Sequence, residues 1–199
     1  MATVQSPQVD VTPGDVIGRH APSGGPHPPL RLPRATRWFH WATVVLLVAM
    51  FALIWTSGLM TPGPLSATLV NAHRSIGLVL FALVLARLAW RLSHPLPPMP
   101  DPVPAWDRRL AAVVQGALYA SLMAMPPLGW LASAMAGDTV RLFGLALPDM
   151  VAMNETGSDR LFAVHGWVAT ALLALAGLHV AGAMRHHLIE RDRVLERML

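Results

Sequence analysis

The chain has 199 residues, of which 54% are hydrophobic and 13% are charged, and its formal net charge is +4. Soluble domains have about 25% charged residues, so this composition favours an integral membrane protein. The sequence contains no cysteine, which excludes disulfides, iron–sulfur clusters, thiolate-ligated haem and covalently attached c-type haem. The arginines lie between apolar runs and do not form one basic patch, which argues against nucleic-acid binding.

The first segment, residues 1–34, is rich in proline, glycine and serine and has no apolar core of signal-peptide length. This composition predicts a disordered cytoplasmic tail and not a cleaved signal peptide. We expect its two histidines, His20 and His27, to take no part in binding.

Four apolar runs follow, and a helix needs about 20 apolar residues to cross a bilayer. We predict an all-α, integral membrane four-helix bundle over residues 35–187, with spans at 38–60, 72–92, 109–135 and 161–184. The long loop before the fourth span is predicted to hold a short surface element around VRLFGLALP. Residues 188–199 predict a cytoplasmic helical tail.

The distribution of arginines predicts how the bundle is oriented. Arg74, Arg141 and Arg160 fall on one side of the four spans, whereas eleven arginines fall on the other side. The positive-inside rule therefore places both termini in the cytoplasm of a multi-pass protein surrounded by membrane lipid.

Four histidines lie within or at the ends of the spans, and the alternating span directions sort them into two levels. His40 opens the first span and His179 lies deep in the fourth, both toward the cytoplasmic side. His73 and His165 lie near the outer side. Ionisable side chains inside a membrane are costly and generally functional. We therefore predict an outer pair, His73 with His165, and an inner pair, His40 with His179.

The spacing of His165 and His179 indicates what the pairs bind. The two residues are fourteen positions apart in one predicted helix. This is close to four helical turns, so both side chains face the same way and lie about 21 Å apart along the axis. Two such ligands, each level with a histidine on another helix, predict two stacked haems. Ligation by two histidines saturates the iron and favours electron transfer.

Other interpretations of the histidines are less favoured. A zinc or copper site would gather its ligands at one level and add carboxylates, and no carboxylate stands in the four apolar cores. For His94, His186 and His187 we favour a structural role. His186 follows His179 by seven residues, so it is the reserve ligand.

Neighbouring residues complete the predicted sites. Arg37, one turn before His40, and Arg74, beside His73, are candidates for pairing with haem propionates, and interfacial snorkelling is the alternative. Four glycines near the histidines would let a flat macrocycle approach the helix backbones, and they also suit plain helix packing. These are Gly77, Gly166, Gly177 and Gly182.

Several segments of the chain match one known family in order. They are RWFHW, NAHRSIGLVLFALVLARLAWRL with the following PLPPMP, LYASLMAMPPLGW, LFGLALP and HGWVATALLALAGLH. Over about residues 34–184 the chain resembles the bacterial cytochrome b561 group, which is related to the cytochrome b subunits of nickel–iron hydrogenases. The resemblance implies a four-helix cytochrome with two non-covalent b haems in the bacterial inner membrane.

The family's ligand histidines match His40, His73, His165 and His179. The resemblance implies electron transfer between a periplasmic-side donor and the quinone pool, with ubiquinone as the expected acceptor. One departure lies in the third span, where many members have a histidine one turn before the LY pair and this chain has Gln115. Gln115 does not provide the imidazole that this position would bring to quinone or proton handling.

Three functions stay open at this point. The chain is an oxidoreductase that passes electrons from a small outer donor such as superoxide to ubiquinone, or a membrane anchor and electron relay for a partner dehydrogenase or hydrogenase, or a non-redox protein with structural histidines. The loop over residues 136–160 carries four acids and two arginines, which disfavours attraction of an anion. The catalytic residues and the oligomeric state, including a homodimer, are left open.

Overall fold

A computed structural model describes residues 31–96, 103–148, 151–192 and 194–199. The described residues form four long helices, α1 (Arg34–Gly58), α2 (Pro64–Ser93), α3 (Ala105–Met135) and α4 (Glu155–Arg185). Each of the four is long and apolar enough to cross a membrane. The predicted all-α membrane bundle is therefore confirmed. Most of the predicted N-terminal tail, residues 1–30, lies outside the described residues.

Local capping makes two of the helices start before the apolar runs that predicted them. Pro64 stands in the first turn of α2, where its missing N–H is no loss, and the Ser66 hydroxyl lies 3.0 Å from the backbone nitrogen of Gly63. At α4 the side chain of Asn154 accepts a hydrogen bond from the backbone nitrogen of Gly157 at 2.9 Å. Polar residues thus extend both helices at one end of the bundle.

A small antiparallel hairpin, β1 (Arg141–Leu142) and β2 (Leu145–Ala146), lies between α3 and α4. It falls where the sequence predicted a short surface element. Its turn contains Gly144 at φ 98°, a backbone conformation that glycine adopts without strain. The Ser75 hydroxyl on α2 donates to the carbonyl of Arg141 at 2.9 Å and accepts from the backbone nitrogen of Phe143 at 3.0 Å. The hairpin is thereby fixed to the end of the bundle that holds His73.

The buried core draws on all four helices. It consists of Met50, Leu80, Val84, Leu122 and Leu172. Leu172 is seven residues from both His165 and His179, so this apolar layer lies about midway between the two histidine levels. Many apolar side chains face outward from the bundle instead, as they do in helices surrounded by lipid.

The chain after α4 folds back on the bundle. A π-helical turn (His186–Glu190) and a 3-10 helix (Leu195–Met198) lie in the region of the predicted helical tail, and Arg191 between them has a left-handed φ of 54°. We call residues 186–199 the return segment. The backbone nitrogen of Leu32 donates to the carbonyl of Arg197 at 3.1 Å. Both ends of the described chain therefore meet at the end of the bundle that holds His40.

Candidate functional site

The outer histidine pair, His73 and His165, lines a cavity of about 540 Å³ between the helices. Such a volume is in the range of cavities that bind organic cofactors. The Nδ1 atom of His73 lies 3.0 Å from the carbonyl oxygen of Met50. Because a carbonyl only accepts, Nδ1 carries the proton, and the lone pair of Nε2 is left for a ligand. This backbone contact is the kind that orients metal-binding histidines.

His165 reaches the same cavity from α4 and packs closely on α3. A Cβ atom built on Gly129 would lie 3.1 Å from Cε1 and 3.3 Å from Nδ1 of the His165 ring. The Nδ1 atom is buried and has no hydrogen-bond partner among the described residues. The other ring nitrogen, Nε2, lies further from α3, at 4.0 Å from the same Cβ position.

Arg74 lies at the boundary of the outer cavity and was a predicted propionate contact. It lines the cavity, and its guanidinium forms an ion pair with the carboxylate of Asp138 at 2.5 Å. A second, more open depression beside it is lined by polar residues that include Asn71, Asp138 and Arg141. Arg74 therefore links the outer cavity to the surface, and its charge is balanced by Asp138.

The inner pair, His40 and His179, meets directly. The two ring centroids are 6.3 Å apart and the ring planes are inclined by 65°. A metal ion bonded to two imidazoles at about 2 Å per nitrogen holds their ring centroids roughly 6 Å apart. The observed separation of the centroids is close to that spacing.

Arg87 is a residue of the inner level that the sequence reasoning missed. Its Nη2 atom lies 3.4 Å from Nδ1 of His40, and its guanidinium carbon lies 5.4 Å from the centroid of the Tyr119 ring. The sequence does contain a signal for this placement. Arg87 follows His73 by fourteen residues, the interval that separates His165 from His179, and residues at this interval share one helix face.

Arg37, the other predicted propionate contact, lies at the start of α1, and its Nε atom is buried with no hydrogen-bond partner among the described residues. Its guanidinium donates to the backbone oxygen of Leu199 in the return segment. Trp41 donates to the carbonyl of Met198 at 3.0 Å beside it. The start of α1 is therefore tied to the return segment.

The remaining described histidines are placed away from the two pairs. The ring of His94 is exposed and stacks on Trp90 with centroids 3.7 Å apart. His186, the reserve ligand, lies between two carboxylates, with Nδ1 at 2.5 Å from Asp192 and Nε2 at 3.5 Å from Asp107. These contacts account for His186 without a cofactor.

The four glycines selected from the sequence differ in what lies beside them. A Cβ atom on Gly166, Gly177 or Gly182 would meet nothing within 4 Å, whereas on Gly77 it would lie 3.3 Å from the side chain of Met50. Gly166 and Gly77 also line the outer cavity. The close approach at a histidine occurs at Gly129 on α3, which sequence reasoning did not select because it considered only glycines near the histidines in sequence.

The donor set determines which cofactor the two pairs fit. No group of three or more histidines, aspartates or glutamates in the described part of the chain is arranged to hold a bare metal ion. A b haem supplies its own equatorial nitrogens and needs only two axial imidazoles. The two histidine pairs and the outer cavity fit that requirement.

These features define a class, namely multi-pass membrane proteins with paired histidines inside a four-helix bundle. A family model described as prokaryotic cytochrome b561 matches residues 31–199. The chain therefore belongs to the prokaryotic cytochrome b561 family, whose members are membrane electron-transfer proteins with b-type haem, and the resemblance noted in the sequence is confirmed.

Similar proteins are of comparable length. The chain is 32% identical to cytochrome b561 homolog 2 of Escherichia coli (strain K12) over 166 residues, which cover 81% of this chain and 87% of that protein. It is 25% identical to cytochrome b561 homolog 1 of the same organism over 85% of this chain and 97% of that protein. It is 29% identical to the probable superoxide oxidase CybB of Yersinia pestis over 80% of this chain and 90% of that protein.

Proposed function

We propose that this protein is a dihaem b-type cytochrome of the bacterial inner membrane that carries electrons from a periplasmic-side donor to the quinone pool. The observation that carries the proposal is the pairing of four histidines at two levels of one bundle. His73 and His165 share one cavity, and the rings of His40 and His179 lie 6.3 Å apart. Each pair would supply two imidazole ligands to a haem iron, and such ligation would favour electron transfer over oxygen activation.

The protein's own residues prepare the outer site in this proposal. His73 and His165 hold one haem and His40 and His179 hold the other, and each haem supplies a one-electron iron couple. The carbonyl of Met50 keeps the proton of His73 on Nδ1, 3.0 Å away. Gly129 admits the His165 ring against α3. These contacts orient the rings before the cofactor binds, which lowers the entropy cost of ligation.

The apolar layer separates the two levels. Val84 and Leu172 are 0% and 2% exposed, so the layer keeps water out of the space between the two histidine pairs. The helical rise puts these pairs about 21 Å apart along the axis.

The donor we propose is superoxide, because one of the similar proteins is named a probable superoxide oxidase. Each superoxide gives up one electron at the outer site and leaves as dioxygen. Two such electrons and two protons from the cytoplasmic side convert one ubiquinone to ubiquinol. Arg74 at the mouth of the outer cavity supplies a positive group there, although Asp138 balances its charge.

The haem content is tested first. A dithionite-reduced minus oxidised spectrum and a pyridine haemochrome assay on the purified protein should give two b haems per chain. One haem per chain would contradict the paired sites. A folded protein without haem would leave the histidines structural.

The donor is tested on the same preparation. Superoxide added to the oxidised protein should reduce the b-haem bands, and superoxide dismutase should abolish the reduction. With ubiquinone present, ubiquinol should accumulate at one molecule per two superoxide ions. Haem that is reduced by dithionite and never by superoxide would instead support a relay that takes its electrons from a partner dehydrogenase or hydrogenase.

A further inference from the structure

Arg87 is a charged side chain at the inner level that the proposed electron transfer does not yet use. It follows His73 on α2 by the same fourteen residues that separate His165 from His179 on α4. Because fourteen residues are close to four turns, α2 turns a histidine toward the bundle at the outer level and an arginine at the inner level. The inward face of α2 is therefore neutral at the outer level and positively charged at the inner level.

The surroundings of Arg87 leave its charge without a carboxylate. The guanidinium lies 3.4 Å from Nδ1 of His40 and 5.4 Å from the centroid of the Tyr119 ring. The side chain is half-buried. The ion pairs within the described ranges involve Arg74, Arg185 and His186, and none involves Arg87.

At the outer level, in contrast, the cation is paired with a carboxylate. This cation, Arg74, is 2.5 Å from the carboxylate of Asp138, so that pair carries no net charge. A guanidinium does not lose its proton in proteins. Inside a bundle its charge is weakly screened, so it stabilises a nearby centre that gains an electron.

We propose that Arg87 sets the reduction potential of the inner haem above that of the outer haem, so that electrons pass inward. This inference rests on the proposed dihaem function. One electron leaves the outer iron and one arrives at the inner iron, where the positive charge of Arg87 stabilises the reduced state. Arg87 is a residue that tunes the site and is not an axial ligand.

Redox potentiometry on the purified protein with both haems tests the inference. Arg87→Gln should lower the inner midpoint potential by at least about 59 mV, which is a tenfold change in the equilibrium constant of a one-electron couple. Arg87→Lys keeps the charge and should retain most of the potential. Arg91→Gln is the matched control, because Arg91 is exposed one turn further along α2.

A second substitution tests the charge without removing the arginine. Tyr119→Glu puts a carboxylate on α3 opposite Arg87, so the inner potential should fall as it does in Arg87→Gln. Tyr119→Phe keeps the ring and should change the potential much less. The two Tyr119 variants test the effect of the Arg87 charge on the inner potential even if Arg87→Gln loses the inner haem.

The outcomes separate this inference from the proposed function. The inner couple is identified as the one that remains in His165→Ala. An inner potential unchanged by Tyr119→Glu, or lowered equally by Arg91→Gln, would overturn the role of Arg87. Absence of haem from the unaltered protein, or loss of both haems in His165→Ala, would overturn the dihaem pairing instead.

Discussion

The outer and inner levels of this bundle use the same fourteen-residue repeat of α4 and yet build different environments. At the outer level His165 faces a cavity of about 540 Å³, and its opposite histidine is held by a backbone carbonyl. At the inner level the rings of His179 and His40 are 6.3 Å apart, and a cation lies beside them. The difference comes from the residues that α1, α2 and α3 present to α4.

The comparison shows how one helix period can serve two sites with different properties. α2 contributes His73 at one level and Arg87 at the other, and Arg74, the residue after His73, is ion-paired with Asp138. The inner level is also tied to the return segment through Trp41 and Arg37. Among the described residues, a short hairpin that Ser75 holds lies over the outer level.

Removal of one histidine should have the largest effect on the difference between the two levels, because it should remove the haem of one level only. We expect His165→Ala to eliminate the outer haem and His179→Ala the inner haem, because each iron then loses one of two axial ligands. The pyridine haemochrome assay should fall from about two haems per chain to about one in both variants. His94→Ala is the control and should retain both, because the contacts of that ring are with Trp90 and Ser93 at the exposed end of α2. Loss of both haems in either variant would contradict independent levels.

The next largest effect is expected from the close approach at Gly129. Gly129→Val should lower the occupancy of the outer haem by about half or more and spare the inner one, because even a Cβ would lie 3.1 Å from the His165 ring. Gly116→Val is matched for helix propensity on the same α3, and its Cβ meets nothing within 4 Å. Haem content and the difference spectrum of the two variants measure the effect. Equal losses in both would assign the effect to helix propensity.

A moderate effect on the free energy of unfolding is expected when the ion pair at the inner end of the bundle is broken. Asp107 is 8% exposed and accepts from Arg185 at 2.9 Å. Asp107→Asn should therefore lower the free energy of unfolding in detergent by about 1 kcal/mol. Glu190→Gln removes a more exposed partner of the same Arg185 and should change stability by less than about 0.5 kcal/mol. A thermal unfolding curve followed by circular dichroism compares them, and a larger effect of Glu190→Gln would contradict this ranking.

The smallest effect is expected at the outer ion pair. Asp138→Asn leaves Arg74 as an unbalanced cation at the mouth of the outer cavity. The rate of haem reduction by superoxide should rise about two- to threefold at low ionic strength, and the gain should vanish near 1 M salt. Asp159→Asn removes an equal charge near the start of α4, and Asp159 is not the ion-pair partner of Arg74. This control therefore separates the local effect of freeing Arg74 from the effect of the protein's net charge. Stopped-flow absorbance gives both rates, and an equal gain in the control would contradict a role for Arg74.

Most of the predicted arrangement of the four histidines followed from the helical period and from the alternating directions of the spans. His165 and His179 are fourteen residues apart in one apolar run, so their shared face follows from the helical repeat alone. The alternating directions of the spans then assigned His73 and His40 to opposite levels. The structure brings both predicted pairs together.

Contacts that depend on side-chain direction or on distant segments were not predictable in this way. The guanidinium of Arg37 bonds to the return segment, which is distant in sequence and folds back across the start of α1. Gly129 lies on a different helix from any of the four histidines, so sequence distance gave no reason to select it. Arg87 was counted only as an interfacial charge, although its spacing from His73 placed it on the inward face.

By itself the sequence determined that four apolar helices cross a membrane and that two histidine levels lie about 21 Å apart, because length, hydropathy and helical period are local properties. Only the tertiary structure decided which groups meet those histidines. Three different helices provide these groups: the carbonyl of Met50 on α1, the charge of Arg87 on α2 and the side-chain-free position of Gly129 on α3. Their positions relative to the rings depend on helix rotation and packing, which no single run of residues specifies.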